Sequence, residues 1–276
     1  MDVLSQIEQW PTPAVGAAVV TAEGVVASHG DLDRAVRLGS VTSTLTALAI
    51  LIAAEEGIVG LGEAAGPPGS SIRHLLGHCG GLAPQHRRLL TEPGTRRIYS
   101  HAGLELLADI VAGRSDMDFA SYVDEALVEP LGLERTSVQG SAAHGGEASV
   151  RDMAAVLGAL LRPVPGIIAR ETRVQLASPV CPGIAGMVPG FGFHDPNPWG
   201  LGVEIKGAKH HHWTGRHNSA GTFGSMGSHG AWWWLDPSAG CALVVLGDGE
   251  EGLWRGTAWP ELSDEVIGRY SLAAAQ

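Results

Sequence analysis

Ser40 is the first residue from which chemistry is expected. It heads the run Leu38-Gly39-Ser40-Val41-Thr42-Ser43-Thr44-Leu45-Thr46-Ala47-Leu48, which reads as the opening of an apolar helix. A hydroxyl at such a place lies in the positive field of the helix N-terminus. It is still a weak nucleophile at neutral pH and needs a group to take its proton. The residue three positions on shares the same helix face, but it is Ser43, which is no base. Lys206 and Lys209 are the only lysines and lie far along the chain. Ser40 therefore has no base on its own turn of helix, and any proton acceptor must come from elsewhere in the chain.

Other reactive residues read as structural. Cys79, Cys181 and Cys241 are odd in number and have no metal-type spacing, so free, mostly buried thiols are expected. His210-His211-His212 are adjacent, which on an extended segment sends their side chains in different directions. No carboxylate or cysteine partner is evident beside them, and no metal or other cofactor is expected.

The elements that must position Ser40 follow from periodicity. Val15–Ala22 is β-rich, Glu23-Gly24 makes a turn, and Val25–Gly30 returns as a hairpin partner. Val41, Leu45, Leu48, Ala49 and Ile52 share one helical face, stopped by Gly57. Leu104, Leu107, Ala108 and Val111 form a second stripe. Phe119 to Leu127 form a third, ended by Pro130. Ser149 reads as the cap of a helix carrying Met153, Val156, Leu157 and Leu160, with Asp152 in its first turn.

Strands return after a Pro/Gly-rich connection. Gly200–Ile205 reads as a short edge strand, and Ser228–Leu235 and Cys241–Leu246 flank an Asp236–Gly240 turn. Trp259, Leu262, Val266 and Ile267 mark a last amphipathic helix. This order predicts an α+β fold: an antiparallel sheet flanked by helices, plus a helical lobe. A single domain is expected over 1–276, with an α/β part at about 1–60 and 150–276 and the lobe at about 61–149.

Four segments, in order, resemble the motifs of the penicillin-binding, class C β-lactamase-like serine hydrolases. Ser40 to Leu48 with Glu55-Glu56-Gly57 is similar to the nucleophile helix. Ile72 to Leu82 is similar to the loop I-R-x-L-L-x-H-x-S-G-L, and Pro93-Gly94 through Tyr99-Ser100-His101 to the Y-S-N motif. Phe223-Gly224-Ser225-Met226-Gly227 is similar to the K-T-G or H-x-G motif. The resemblance implies a β-lactamase/transpeptidase-like fold. It also implies an acylating serine, a proton-relaying tyrosine and backbone amides that stabilise an oxyanion.

The chain departs from that pattern at its polar positions. Ser43 replaces the lysine, His101 the asparagine, Ser225 the cation of the third motif, and Gly80 the serine before Gly81. Ser40 and Tyr99 remain. An imidazole at 101 titrates near neutrality and would reach the space vacated at Ser43, so Ser40, Tyr99 and His101 are the expected catalytic residues. Ser43, Ser225, Gly227, Ser228, His229 and Trp232 are expected to bind substrate or the oxyanion. Trp232 also has a plainer reading as core. His74 and His78 are expected to be structural, and His217 and His229 to approach the cleft from the third-motif side, with a surface position equally open for His229.

Composition narrows the partners. A net charge of -11 disfavours nucleic acid and anionic membranes. Hydrophobic residues at 45% and charged residues at 17% suit a globular protein. Neither a secretion leader nor a membrane span is legible, so a cytoplasmic protein acting on a small molecule is expected. Three readings stay open: a serine hydrolase or acyltransferase on a small ester or amide; a non-hydrolytic cyclase, dehydratase or isomerase using His101 and Tyr99; and a pocket that binds without chemistry. Oligomeric state is not legible.

Overall fold

Apolar runs buried on both faces build the core of the central sheet. In this computed structural model, which describes residues 2–162, 168–249 and 252–272, Gly16–Thr21 (β1) and Gly24–Gly30 (β2) form the predicted hairpin. Glu204–Ile205 (β3), Phe223–Met226 (β4), Trp232–Asp236 (β5) and Cys241–Leu246 (β6) complete an antiparallel sheet of order β2-β1-β6-β5-β4-β3. Strands from both ends of the chain thus meet at the β1–β6 pair, and β3 is an edge. The region from Ser228 to Ala231, expected as strand, is instead the turn between β4 and β5, closed by Gly227 N donating to Ala231 O at 2.7 Å.

Each face of the sheet buries one set of alternate side chains. Ala18, Val20, Trp233, Val244 and Leu246 face Thr42–Glu55 (α1) and the later helix Val150–Leu161. Ala17, Val19, Trp232, Trp234, Leu243 and Val245 face the C-terminal helix Arg255–Tyr270 and the short 3-10 helix Val3–Gln9. The expected one-sided stripe on α1 is not what the molecule uses. Every residue from Thr42 to Ala53 is buried, because α1 lies between the sheet and the helices of 61–149.

Residues 61–149 carry Ile72–Leu76 (α2), His101–Ser115 (α3) and a continuous helical run over 119–131. That run passes through Pro130 and ends at Gly132, whose φ is +64°. A π-helical stretch at Asp124–Val128 precedes the proline, and its wider turn changes which carbonyl faces the ring. Ser149 caps Val150–Leu161 as expected, accepting from Asp152 N at 3.1 Å. The Asp152 carboxylate also accepts from Arg135 N and Thr136 Oγ1. No helix among the described residues is long and apolar enough to cross a membrane.

Candidate active site

The turn after β4 wraps the segment that holds Ser40. Gly39 adopts φ +53°, and a Cβ there would lie 3.2 Å from His229 Nδ1 and 3.4 Å from Ser228 N. A Cβ on Gly227 would collide with the Leu38 carbonyl oxygen and stand 3.2 Å from Ser40 N. Two glycines therefore let two backbones touch. Among the described residues, neither the Ser40 amide nor the Ser228 amide is spent on a backbone bond. Two such donors on facing loops suit a developing oxyanion.

Tyr99 closes the other side. A cleft of about 100 Å³ is lined by Ser40, Tyr99, Trp199, Glu204, Ser225 and Arg255, among others. Burial raises the Tyr99 pKa, while the approaching hydroxyls of Ser40 and Ser43 act to lower it. Neither approach has the geometry of a formed hydrogen bond, and Tyr99 Oη and Ser43 Oγ are both buried without a partner among the described residues. The place three residues after Ser40 is thus filled by a small hydroxyl that meets the tyrosine.

His78 supports the phenol. Its ring lies 4.4 Å from that of Tyr99 and edge-on to Trp199 at 4.8 Å. His78 has φ +53°, and its Nδ1 accepts from Ser100 N at 3.2 Å. Burial pushes its pKa down to about 3, helped by the charges of Arg97 and His101. The imidazole is therefore neutral at physiological pH.

His101 begins α3, which Ser100 caps by accepting from Gly103 N while donating to Ala83 O. Its ring is edge-on to Tyr99 at 5.3 Å and lies 5.4 Å from His144. It lines a second hollow of about 390 Å³ together with Ser40, Gln85, His144, Ser228 and His229. Nδ1 accepts from the Gln85 amide at 3.2 Å, which places the ring proton on Nε2. Burial and His144 lower its pKa against Glu105. Among the described residues His101 makes no hydrogen bond to Ser40.

The structure brings Ser40, Ser43, Tyr99, Ser225, Gly227 and Ser228 together, with His101 and His229 at the adjoining hollow. Ser228 Oγ and His229 Nδ1 are 3.2 Å apart. His217 stands elsewhere, at the surface against Asp264. Trp232 is a correction. It is 0% exposed, stacked on Trp259 at 5.0 Å and edge-on to Trp213 at 6.4 Å. Strand alternation turns it to the sheet face away from α1. Trp233, on the opposite face, donates from Nε1 to Thr44 Oγ1 at 3.0 Å. The aromatic wall of the cleft comes from Trp199 and Tyr99.

Glu204 was not anticipated. It is buried in the cleft wall, accepting from Lys209 Nζ at 2.7 Å and Trp213 Nε1 at 2.8 Å, with His212 Nε2 at 3.1 Å. Burial would raise its pKa, but Lys209 and His212 outweigh that and hold the carboxyl below its ordinary range. One member of the histidine run thus turns inward, while His210 and His211 are exposed. The only sequence signal was a single acid inside the apolar stretch Gly200–Ile205.

The family model described as Beta-lactamase matches residues 7–266. Comparison with curated proteins gave no match. Among solved structures, a beta-lactamase from Mycobacterium bovis is 44% identical, with 98% of this chain and 100% of that chain covered and a TM-score of 0.95. An octameric penicillin-binding protein homologue from Pyrococcus abyssi is 17% identical, with 98% and 78% covered and a TM-score of 0.75. A hydrolase with promiscuous acyltransferase activity is 19% identical, with 96% and 97% covered and a TM-score of 0.74. The last two likenesses are of fold. The molecule has the β-lactamase/transpeptidase-like fold, and the chain belongs to the beta-lactamase family.

Proposed function

We propose that this chain is a serine hydrolase or acyltransferase in which Ser40 is acylated by a small ester or amide and Tyr99 carries the proton. The observation that supports this reading is the Tyr99 hydroxyl, buried without a hydrogen-bond partner among the described residues and close to the hydroxyls of Ser40 and Ser43. Ser40 Oγ attacks the carbonyl carbon, and its proton passes through Tyr99 to the departing oxygen or nitrogen. The Ser40 and Ser228 amides hold the oxyanion. His101, neutral and edge-on to Tyr99, positions the phenol. The space beside Ser40, walled by Trp199, Pro189 and Met226, suits a short apolar acyl group. A positioned base contributes roughly 10²–10⁴-fold, so turnover without the lysine is slow.

Intact mass after treatment with a fluorophosphonate tests the reading. One adduct is expected on Ser40, none on Ser40→Ala, and slowed labelling in Tyr99→Phe. A wild-type protein that stays unlabelled, or a Tyr99→Phe protein that reacts at the full rate, contradicts it. A second reading, a pocket that binds without acylation, is favoured by one fact. No ionised side chain among the described residues hydrogen-bonds Ser40, and His101 Nδ1 is taken by Gln85. A ligand that raises the melting temperature and is recovered unchanged from unlabelled protein points to that reading.

A further inference from the structure

Cys79 and Cys181 lie far apart in the sequence, yet their sulfurs and one ring nitrogen of His74 all lie within 4.8 Å of one another. Cys79 directly follows His78, whose ring packs on Tyr99. His74 sits on α2, and its Nδ1 meets the hydroxyl of the helix cap, Ser71, at 3.0 Å. That bond holds the ring in one orientation, as hydrogen bonds to a metal-binding imidazole commonly do. Cys79 follows at the end of the same turn, its amide donating to His74 O at 2.9 Å.

Cys181 comes from the opposite loop. Its φ is +47°, a left-handed conformation that a residue with a Cβ keeps only when its surroundings impose it. Arg97 does the imposing. Its buried guanidinium donates to Val180 O at 2.7 Å, to Cys181 O at 3.4 Å and to Gly77 O. One side chain therefore clamps the two backbones that bear the thiols. Strain held in this way aims a side chain, and here it aims a sulfur at a second sulfur and an imidazole.

We propose that His74, Cys79 and Cys181 form a binding site for a thiophilic divalent cation of the zinc type, with a fourth coordination position left to water or an external ligand. Two thiolates and a neutral imidazole are the donor set such an ion prefers. Binding expels one proton from each thiol that is still protonated and none from the imidazole. The Arg97 guanidinium, which bonds both the Val180 and Gly77 carbonyls, places a fixed positive charge beside the two thiol-bearing loops. The ion would pin α2 to the loop at 181 and so stiffen His78, on which Tyr99 rests.

The test uses full-length protein, reduced and stripped of metal with chelator, then titrated with cobalt(II) and afterwards with zinc(II). One equivalent of cobalt with a thiolate-to-cobalt charge-transfer band is expected, displaced by zinc. The band should vanish in Cys79→Ser and in Cys181→Ser. Ser71→Ala, which frees the His74 ring, should weaken zinc binding by about 10–100-fold. Melting of metal-free Cys181→Ser at the wild-type temperature shows that lost binding is not lost folding. Three results overturn the proposal: cobalt uptake without the band; uptake unchanged in the cysteine variants, which would place the ion on the His210–His212 run; or reduced protein that takes no metal while an oxidant joins Cys79 to Cys181.

Discussion

The imidazole of His78 lies against the phenol of Tyr99, ring centroids 4.4 Å apart and planes tilted by 48°. This contact holds the side chain that meets Ser40 and Ser43, and it has a thermodynamic consequence. Burial, with Arg97 and His101 adding to it, pushes His78 down to about 3. In the unfolded chain an ordinary histidine takes up its proton below about pH 6.5. Between those limits the unfolded state binds more protons, so stability falls as pH drops. The loss approaches about 1.4 kcal/mol per pH unit for this one group. Denaturant unfolding between about pH 6 and about pH 4 should show it, and His78→Gln should flatten the slope by about one proton. Equal slopes in the two proteins would remove His78 as the cause.

Gly227 should tolerate no side chain. The position of a Cβ there is already occupied by the Leu38 carbonyl oxygen, with Ser40 N at 3.2 Å. Backbone cannot rotate away as a side-chain tip can. Gly227→Ala must therefore part the β4 turn from the Ser40 segment, at a cost of about 1–3 kcal/mol. The two amides that face an oxyanion separate with it. The expected result is a lower melting temperature and a marked loss of fluorophosphonate labelling in the protein that remains folded. A variant that melts like wild type and labels at the wild-type rate would show that the two loops do not depend on this contact.

What was legible in the chain is what lies close together in sequence. The β1–β2 hairpin, the Ser149 cap and the opposite faces of Trp232 and Trp233 follow from local period and local hydrogen bonding. Ser40, Tyr99 and the Ser225–Ser228 segment stand out in the sequence because each sits inside a contiguous motif, and they line one cleft. The pairings that join distant loops left no such trace. Nothing in the spacing places Lys209 on Glu204, Gln85 on His101, or Cys181 beside Cys79. Periodicity also gave the faces of the tryptophan strand without saying which face meets the cleft. Trp232 was therefore assigned to substrate when the C-terminal helix covers it.

That correction carries its own prediction. Trp232 is enclosed by Trp259, Trp213 and the C-terminal helix. Truncation to alanine removes a fully buried indole and leaves a cavity, a loss of about 3–5 kcal/mol. Trp232→Phe keeps most of the volume and should lose much less. In neither protein should the folded fraction change its rate of fluorophosphonate labelling at Ser40, because the ring does not line the cleft. Urea unfolding alongside labelling separates the two effects. A phenylalanine variant of near-normal stability with altered labelling would return Trp232 to the site.

A lysine at position 43 would put a base on the helix face that Ser40 occupies. Ser43 Oγ is buried, unpartnered among the described residues, and meets the Tyr99 hydroxyl. Among the described residues, the one carboxylate lining the cleft is Glu204, already engaged with Lys209 and His212. A buried amine without its own counter-ion has a lowered pKa and is a free base nearer neutrality. Ser43→Lys should therefore accelerate acylation of Ser40 by roughly 10²–10⁴-fold, the usual worth of a positioned base. The rate should also gain a rising limb with pH as the new amine loses its proton. Ser43→Met adds similar bulk without the amine and isolates the steric cost. If Ser43→Lys folds as well as Ser43→Met yet labels no faster than wild type, Ser40 is not held where a base at this position can use it, and its role as nucleophile fails.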